Sequence, residues 1–148
     1  MEKIYDVTAL GELLIDFTEN GTSAQGNPLL EANPGGAPCN VLAMLEKLGK
    51  KTAFIGKVGT DMHGAFLKKT LQKEGIDTTA LIEDEHYFTT LAFVEIDENG
   101  ERNFSFARKP GADTKIQKEE VDVDVLDHTH IFHVSYTHLR AHETPEHL

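Results

Sequence analysis

The sequence predicts an α/β fold built on a parallel sheet. Three observations carry that expectation. The central one is residues 33–64, NPGGAPCNVLAMLEKLGKKTAFIGKVGTDMHG, where two glycines lead into an amphipathic helix, a short apolar strand and a second glycine-rich turn. The apolar run 4–10, closed by Gly11, reads as a buried strand of a parallel sheet, and so does the run 129–134.

In chain order, the first strand empties into GELLID (11–16). Ligands of open α/β sheets bind beyond the carboxyl ends of strands, so Asp16 is placed to accept hydrogen bonds from two vicinal hydroxyls. On residues alone, a solvated loop aspartate is an equal reading. Residues 18–31 are polar, contain glycine and lack a sustained period, which predicts a loop. Gly35 and Gly36 let a ligand approach the main chain, and the helix that follows aims its free N–H groups at that turn. Val41, Met44, Leu45 and Leu48 recur at helical spacing, so the helix is expected over 38–48 with an apolar face on those residues. Asn40 adds a donor and an acceptor in its first turn.

A short strand is expected over 52–55, with turns at 56–59 and 61–64. These turns lack both the Walker spacing and the dinucleotide fingerprint, so they predict no nucleotide site. A second helix follows over 64–74, with Phe66, Leu67 and Leu71 inward and Gly75 as its stop; 76–82 returns to the sheet. Residues 88–107 read as a β-hairpin turning at DENG (97–100). Phe104, Phe106 and Arg108 share one face of its return strand by period two. Alone, that face is packing plus a solvated arginine. A short helix is expected over 118–126.

The chain has 148 residues, enough for one core, and a net charge of −11 without a block of Lys or Arg. That balance argues against nucleic acid or an anionic membrane as partner. Cys39 is the single cysteine and reads as a small buried helix residue. The first residues carry no signal-peptide pattern and no run is long enough to span a bilayer, so a cytoplasmic location is expected. His128, His130 and His133 do not predict a metal site, because His130 and His133 point to opposite faces of a strand.

The ordered set GELLID, PGGAPCN, GKVGTDMHG and RKPGAD closely resembles the ribokinase-like (PfkB-type) carbohydrate kinases, most of all the fructokinase branch, from Gly11 to about Phe132. Leu42 departs from the family, which usually has a small residue there. The resemblance implies that residues 1–134 are the N-terminal part of a three-layer αβα sheet domain with a small β lid, formed by about 12–32 and 86–109. It implies transfer of the ATP γ-phosphate, with Mg2+, to a hydroxyl of fructose or a related sugar. Asp16, Gly35, Gly36 and Asn40 would then bind the sugar, with Arg108 near it. The alternatives are a 2-keto-3-deoxygluconate or nucleoside kinase, or a non-catalytic sugar-binding fragment. The family's catalytic aspartate lies in a later GAGD-type motif that this chain lacks, so the chain by itself is expected to be inactive. A homodimer through the lid is expected for the full-length enzyme. Residues 135–148 lose the strand-to-helix pattern and read as a foreign tail.

Overall fold

Val7, Thr8 and Ala9 are all buried, so the first strand, β1 (Tyr5–Leu10), must have neighbours on both edges and layers on both faces. The structure, a computed structural model describing residues 2–96 and 99–134, supplies them. β4 (Thr52–Gly59) pairs parallel on one edge, from Val7 opposite Thr52 to Leu10 opposite Ile55. β8 (Thr129–Val134) pairs parallel on the other, from Tyr5 opposite Thr129 to Leu10 opposite Val134. β5 (Leu81–Asp84) completes the sheet in the order β5-β4-β1-β8.

This order decides where the helices go. From β1 to β4 to β5 the chain steps in one direction, so right-handed crossovers place α1 (Ala37–Lys47) and α2 (Met62–Lys73) on the same face. Leu42, Leu67 and Leu71 pack there on Phe54 and Val58. β8 lies on the far side of β1, and its crossover covers the opposite face: Val125 of α3 (Val123–Asp127) joins Ala53, Ile55 and Ala80, with Ile116 and Val121 alongside. The direction of winding therefore reverses between β1 and β8. That reversal opens a crevice at the carboxyl end of β1.

A second sheet has the order β3-β2-β6-β7, built from β2 (Leu14–Thr22), β3 (Pro28–Gly35), β6 (Leu91–Ile96) and β7 (Arg102–Ala107). β6 and β7 are the expected hairpin, although Asp97 and Glu98 of its turn lie outside the described residues. β2 and β3 overturn the expected loop over 18–31. They pair antiparallel, with Thr18 opposite Glu31, and β2 also runs parallel to β6. Their outer parts are exposed on both faces and carry no apolar alternation, so only pairing makes them strands.

Other boundaries shift for physical reasons. α1 forms as expected, yet it buries Pro38, Cys39 and Leu42, whereas Val41, Met44 (58% exposed) and Leu48 (69% exposed) face outward. Leu42, the family departure, is thus the helix's anchor in the core. Phe66 likewise faces out while Leu67 and Leu71 face in. The short helix expected over 118–126 is a 3-10 turn, Lys118–Glu120, followed by α3, which Asp122 caps by accepting from the Asp124 and Val125 amides. Among the described residues β8 lies at the edge of the sheet and is not the buried strand expected, with Ile131 60% exposed. His130 and His133 fall on opposite faces of it, and no group of three metal-ligating side chains is assembled among the described residues. Residues 135–148, the expected foreign tail, lie outside the described residues.

β4 continues through 56–59, read from sequence as a turn, because Lys57 is neutralised where it stands. Its side chain is only 3% exposed, and Nζ donates to Glu120 Oε1 at 2.6 Å, Asp84 Oδ2 at 3.1 Å and the Lys115 carbonyl at 3.3 Å. Burial alone would lower the Lys57 ammonium, but these partners reverse that and hold it above its ordinary value. The network ties the sheet to the 112–120 segment. Lys57→Met removes the cation these acceptors share and should lower stability by about 1–3 kcal/mol, read as a fall in the urea midpoint.

Candidate functional site

The crevice at the end of β1 is built first by backbone. Gly36 has φ +123 and packs on the chain leaving β1: a Cβ there would collide with the Glu12 carbonyl. Gly35 ends β3 directly opposite Leu14, and a Cβ on it would strike the Asp16 carboxylate. At Gly36 the positive φ and the backbone contact leave room for glycine alone, while a side chain at Gly35 would have to displace the Asp16 carboxylate. α1 starts straight from this turn, Pro38 in its first turn and the Asn40 amide donating to the Gly36 carbonyl at 3.1 Å. Its remaining amide donors and dipole are thereby directed at the crevice.

Asp16 projects from β2 in one register row with Asn33, Ala92 and Phe106, so these four side chains share a face. Asn33 is held beside it by donating to Thr18 Oγ1 at 3.0 Å. Half-burial pushes the Asp16 carboxyl above its ordinary value. A desolvated carboxylate with acceptor capacity to spare suits a ligand rich in hydroxyl donors. Phe104 and Phe106 stack nearly parallel, with centroids 6.1 Å apart, and remain half exposed on that face. An apolar wall beside a hydroxyl acceptor suits the C–H face of a carbohydrate.

The five residues expected from sequence are not all brought to one point. Asp16, Gly35 and Gly36 converge. Asn40 lines a cavity of about 150 Å3 between α1 and α2, together with Gly35, Ala43 and Leu67; Asp16 does not line it, and Gly35 borders both places. Arg108 lies at the crevice, but its Nη2 is already paired with Glu12 Oε2 at 3.3 Å and with Asp113 Oδ2. Asp113 is 1% exposed and also takes the Thr90 hydroxyl hydrogen. The lone solvated arginine of the sequence reading is therefore corrected: it is a half-buried member of a charged cluster. Glu12 and Asp113, the partners of Arg108, were not singled out from the sequence, although they stand inside GELLID and RKPGAD.

The second sheet is fastened to the first at the start of α2. Asp61 Oδ1 accepts from the His63 and Gly64 amides at 2.9 and 3.1 Å, while its Oδ2 takes the Thr89 amide at 2.8 Å. Burial would raise this carboxyl, yet the amide hydrogen bonds prevail and hold it below its ordinary value. The His63 ring stands edge-on to both Phe17 and Phe88, at 5.9 Å from each, and Phe17 stacks on Phe93. GTDMHG thus reads as a joint, not a phosphate loop. Cys39 is buried, and burial together with the nearby Glu12 charge pushes its thiol well up, leaving no nucleophile there.

Known proteins share this fold. The chain is 42% identical over 130 residues to fructokinase-2 of Oryza sativa subsp. japonica, an alignment covering 86% of this chain and 38% of that protein. Its fold matches the crystal structure of fructokinase from Xylella fastidiosa at a TM-score of 0.81 and 33% identity, covering 88% of this chain and 41% of that one. The same Xylella enzyme with bound ATP matches at a TM-score of 0.79 and 32% identity, over 88% and 39% of the two chains. The chain thus spans well under half the length of these relatives. With the pfkB family carbohydrate kinase model matching residues 5–145, across both sheets and the crevice between them, the chain belongs to the pfkB family of carbohydrate kinases.

Proposed function

We propose that this chain is the acceptor-binding part of a cytoplasmic sugar kinase that transfers the ATP γ-phosphate to a hydroxyl of fructose or a related ketose. One observation carries the reading: a half-buried carboxylate, Asp16, pressed against the Cβ-less Gly35 at the point where the sheet's winding reverses. There the carboxylate accepts from sugar hydroxyls, the Gly35–Gly36 backbone lets the ring approach, and the start of α1 faces the hydroxyl to be phosphorylated. The β2-β3 and β6-β7 sheet serves as a lid whose Phe104 and Phe106 cover the sugar and exclude water, which suppresses wasteful hydrolysis of the donor. The location rests on an acidic chain with one buried cysteine and no helix, among the described residues, long and apolar enough to cross a membrane.

ATP with Mg2+ supplies the electrophilic phosphoryl group in such a reaction. The described residues do not fit it: the glycines of GKVG are buried inside β4, and no metal-ligating cluster is assembled. Asp16 belongs with the acceptor rather than acting as base, and the base and donor site fall to the remainder of the kinase. Purified alone, the chain should show no ATP-dependent phosphorylation of fructose above a protein-free blank. Product formation would move the catalytic machinery into these residues.

Binding and folding separate at Asp16. Its folded pKa lies above the unfolded one, so the native state holds the proton more tightly. The ionised carboxylate thus costs stability above the folded pKa, and that cost disappears as pH falls below the unfolded value near 4. Asp16→Asn should therefore leave the urea midpoint at pH 7 unchanged or higher. Calorimetry should show it weakening fructose binding about 10- to 100-fold, the worth of one or two charged hydrogen bonds. Equal fructose affinity in the two proteins would remove Asp16 from the site. A panel with 2-keto-3-deoxygluconate and a nucleoside decides among the related acceptors. Saturable fructose binding without any role in a larger kinase would instead favour a sugar-binding fragment.

The half-exposed Phe104 and Phe106 also support assembly of the complete kinase as a homodimer through its lids. Sedimentation of the complete kinase at micromolar concentration should show a dimer, and Phe104→Asp should release monomers; a wild-type monomer would refute the pairing.

A further inference from the structure

Protein interiors leave few gaps larger than a water molecule, so the cavity of about 150 Å3 between α1 and α2 calls for a cause. The two helices are pinned at both ends. At their starts, Gly36 packs on the Glu12 carbonyl and Gly64 on the Gly59 carbonyl, contacts that leave no room for a Cβ. At their ends, Lys47 pairs with Glu74 at 3.7 Å. Glu46 takes the Thr52 amide and hydroxyl hydrogens at 2.7 Å each and packs beside Gly75. Helices held in this way cannot close on each other, and the side chain that Ala43 places between them is a single methyl group. The gap is therefore built into the frame, as a preformed ligand site must be.

We propose that this cavity binds a small neutral aromatic alcohol of the phenol type, and that its occupancy is felt at Asp16 through Gly35. The lining is largely aliphatic, with Leu13, Leu67, Leu71 and Ile76 all buried. A cavity of similar size and lining takes up a single aromatic ring. An ion would lose its hydration against these side chains without gaining a partner, since Lys47 and Glu74 at the rim already neutralise each other. Thr70 sets the direction of the ligand: its hydroxyl donates to the Phe66 carbonyl at 2.9 Å, which leaves its oxygen as an acceptor for a ligand O–H. Asp16 does not line the cavity, so this site lies outside the acceptor crevice and stands apart from the sugar-kinase reading. The two places nevertheless share a piece of backbone. Gly35 lines the cavity, and the Asp16 carboxylate lies so close to it that a Cβ would strike the carboxylate. A ligand that shifts Gly35 thus changes the surroundings of Asp16, which couples two distinct sites.

The test is an NMR titration of the isotope-labelled 148-residue chain, its fold followed by circular dichroism, with phenol as the probe at neutral pH, where the phenol is uncharged. In the wild type, phenol should shift the amide signals of Ala43, Leu67 and Leu71 saturably, and the Asp16 carboxyl carbon signal should move in step with them. Ala43→Leu fills the gap and should weaken phenol at least about tenfold, as overpacking of a fitted site requires. Ala43→Val repeats the test should the leucine variant fail to fold. Thr70→Val should weaken phenol about two- to tenfold while leaving toluene, which has no hydroxyl, unchanged. The absence of a saturable shift in the wild type, or equal phenol affinity in the wild type and the filled variant, overturns the site. Phenol bound with the Asp16 signal unmoved overturns the coupling. An equal loss of phenol and toluene in Thr70→Val overturns the choice of an alcohol as ligand.

Discussion

The contact of Gly36 on the Glu12 carbonyl is the constraint on which the rest of this structure depends. Between these residues the chain leaves the parallel sheet, makes the β2-β3 hairpin and returns. Because β3 ends with Gly35 opposite Leu14, the excursion closes within a residue or two of where it began. The closure sets α1 down with its amino end over the carboxyl end of β1. A side chain at position 36 would push helix and strand apart, moving Asp16, Glu12 and the helix start relative to one another. Catalytic and binding groups need placement to a fraction of an ångström, and here that placement is fixed by a bare backbone contact.

Two further junctions steady the second sheet. Asp61 spends one oxygen on capping α2 and the other on the Thr89 amide, so a helix cap also fastens the strand that follows. Lys57 secures the chain that returns from β7 by binding Asp84 and Glu120 together. The β2-β3 and β6-β7 hairpins thus leave and rejoin the parallel sheet at fixed points, while their outer ends stay exposed. A small sheet tethered at its base and exposed at its outer ends suits the proposed role of a cover over the acceptor.

The distribution of charge follows the same division. Lys57 and Arg108 are both covered cations, and each is matched by two carboxylates. In the first case the surplus faces solvent and the result is mechanical. In the second, Asp113 is buried and Glu12 carries the surplus on the more exposed side.

Much of the architecture was determined by the sequence alone. The alternation of apolar runs with glycine-ended helices specified a parallel α/β sheet, and Gly36 marked the turn from which α1 starts, because a backbone conformation open only to glycine announces itself in residue identity. Asp16 was equally a solvated loop aspartate on its residues alone, and only the family signature around it pointed towards the crevice; the structure sets it inside β2, half-buried beside Gly35. Tertiary structure decided the rest. Strands β2 and β3 are held by pairing in water, which imposes no apolar period on residues 18–31. The inner face of α1 was misjudged because Val41, Met44 and Leu48 are as apolar as Leu42, and only the position of the sheet says which side is in. Lys57 resembled a turn residue until its two carboxylates, distant in sequence, were brought over it. Arg108 is paired with Glu12, nearly a hundred positions earlier in the chain, and no local pattern encodes a meeting made solely by folding.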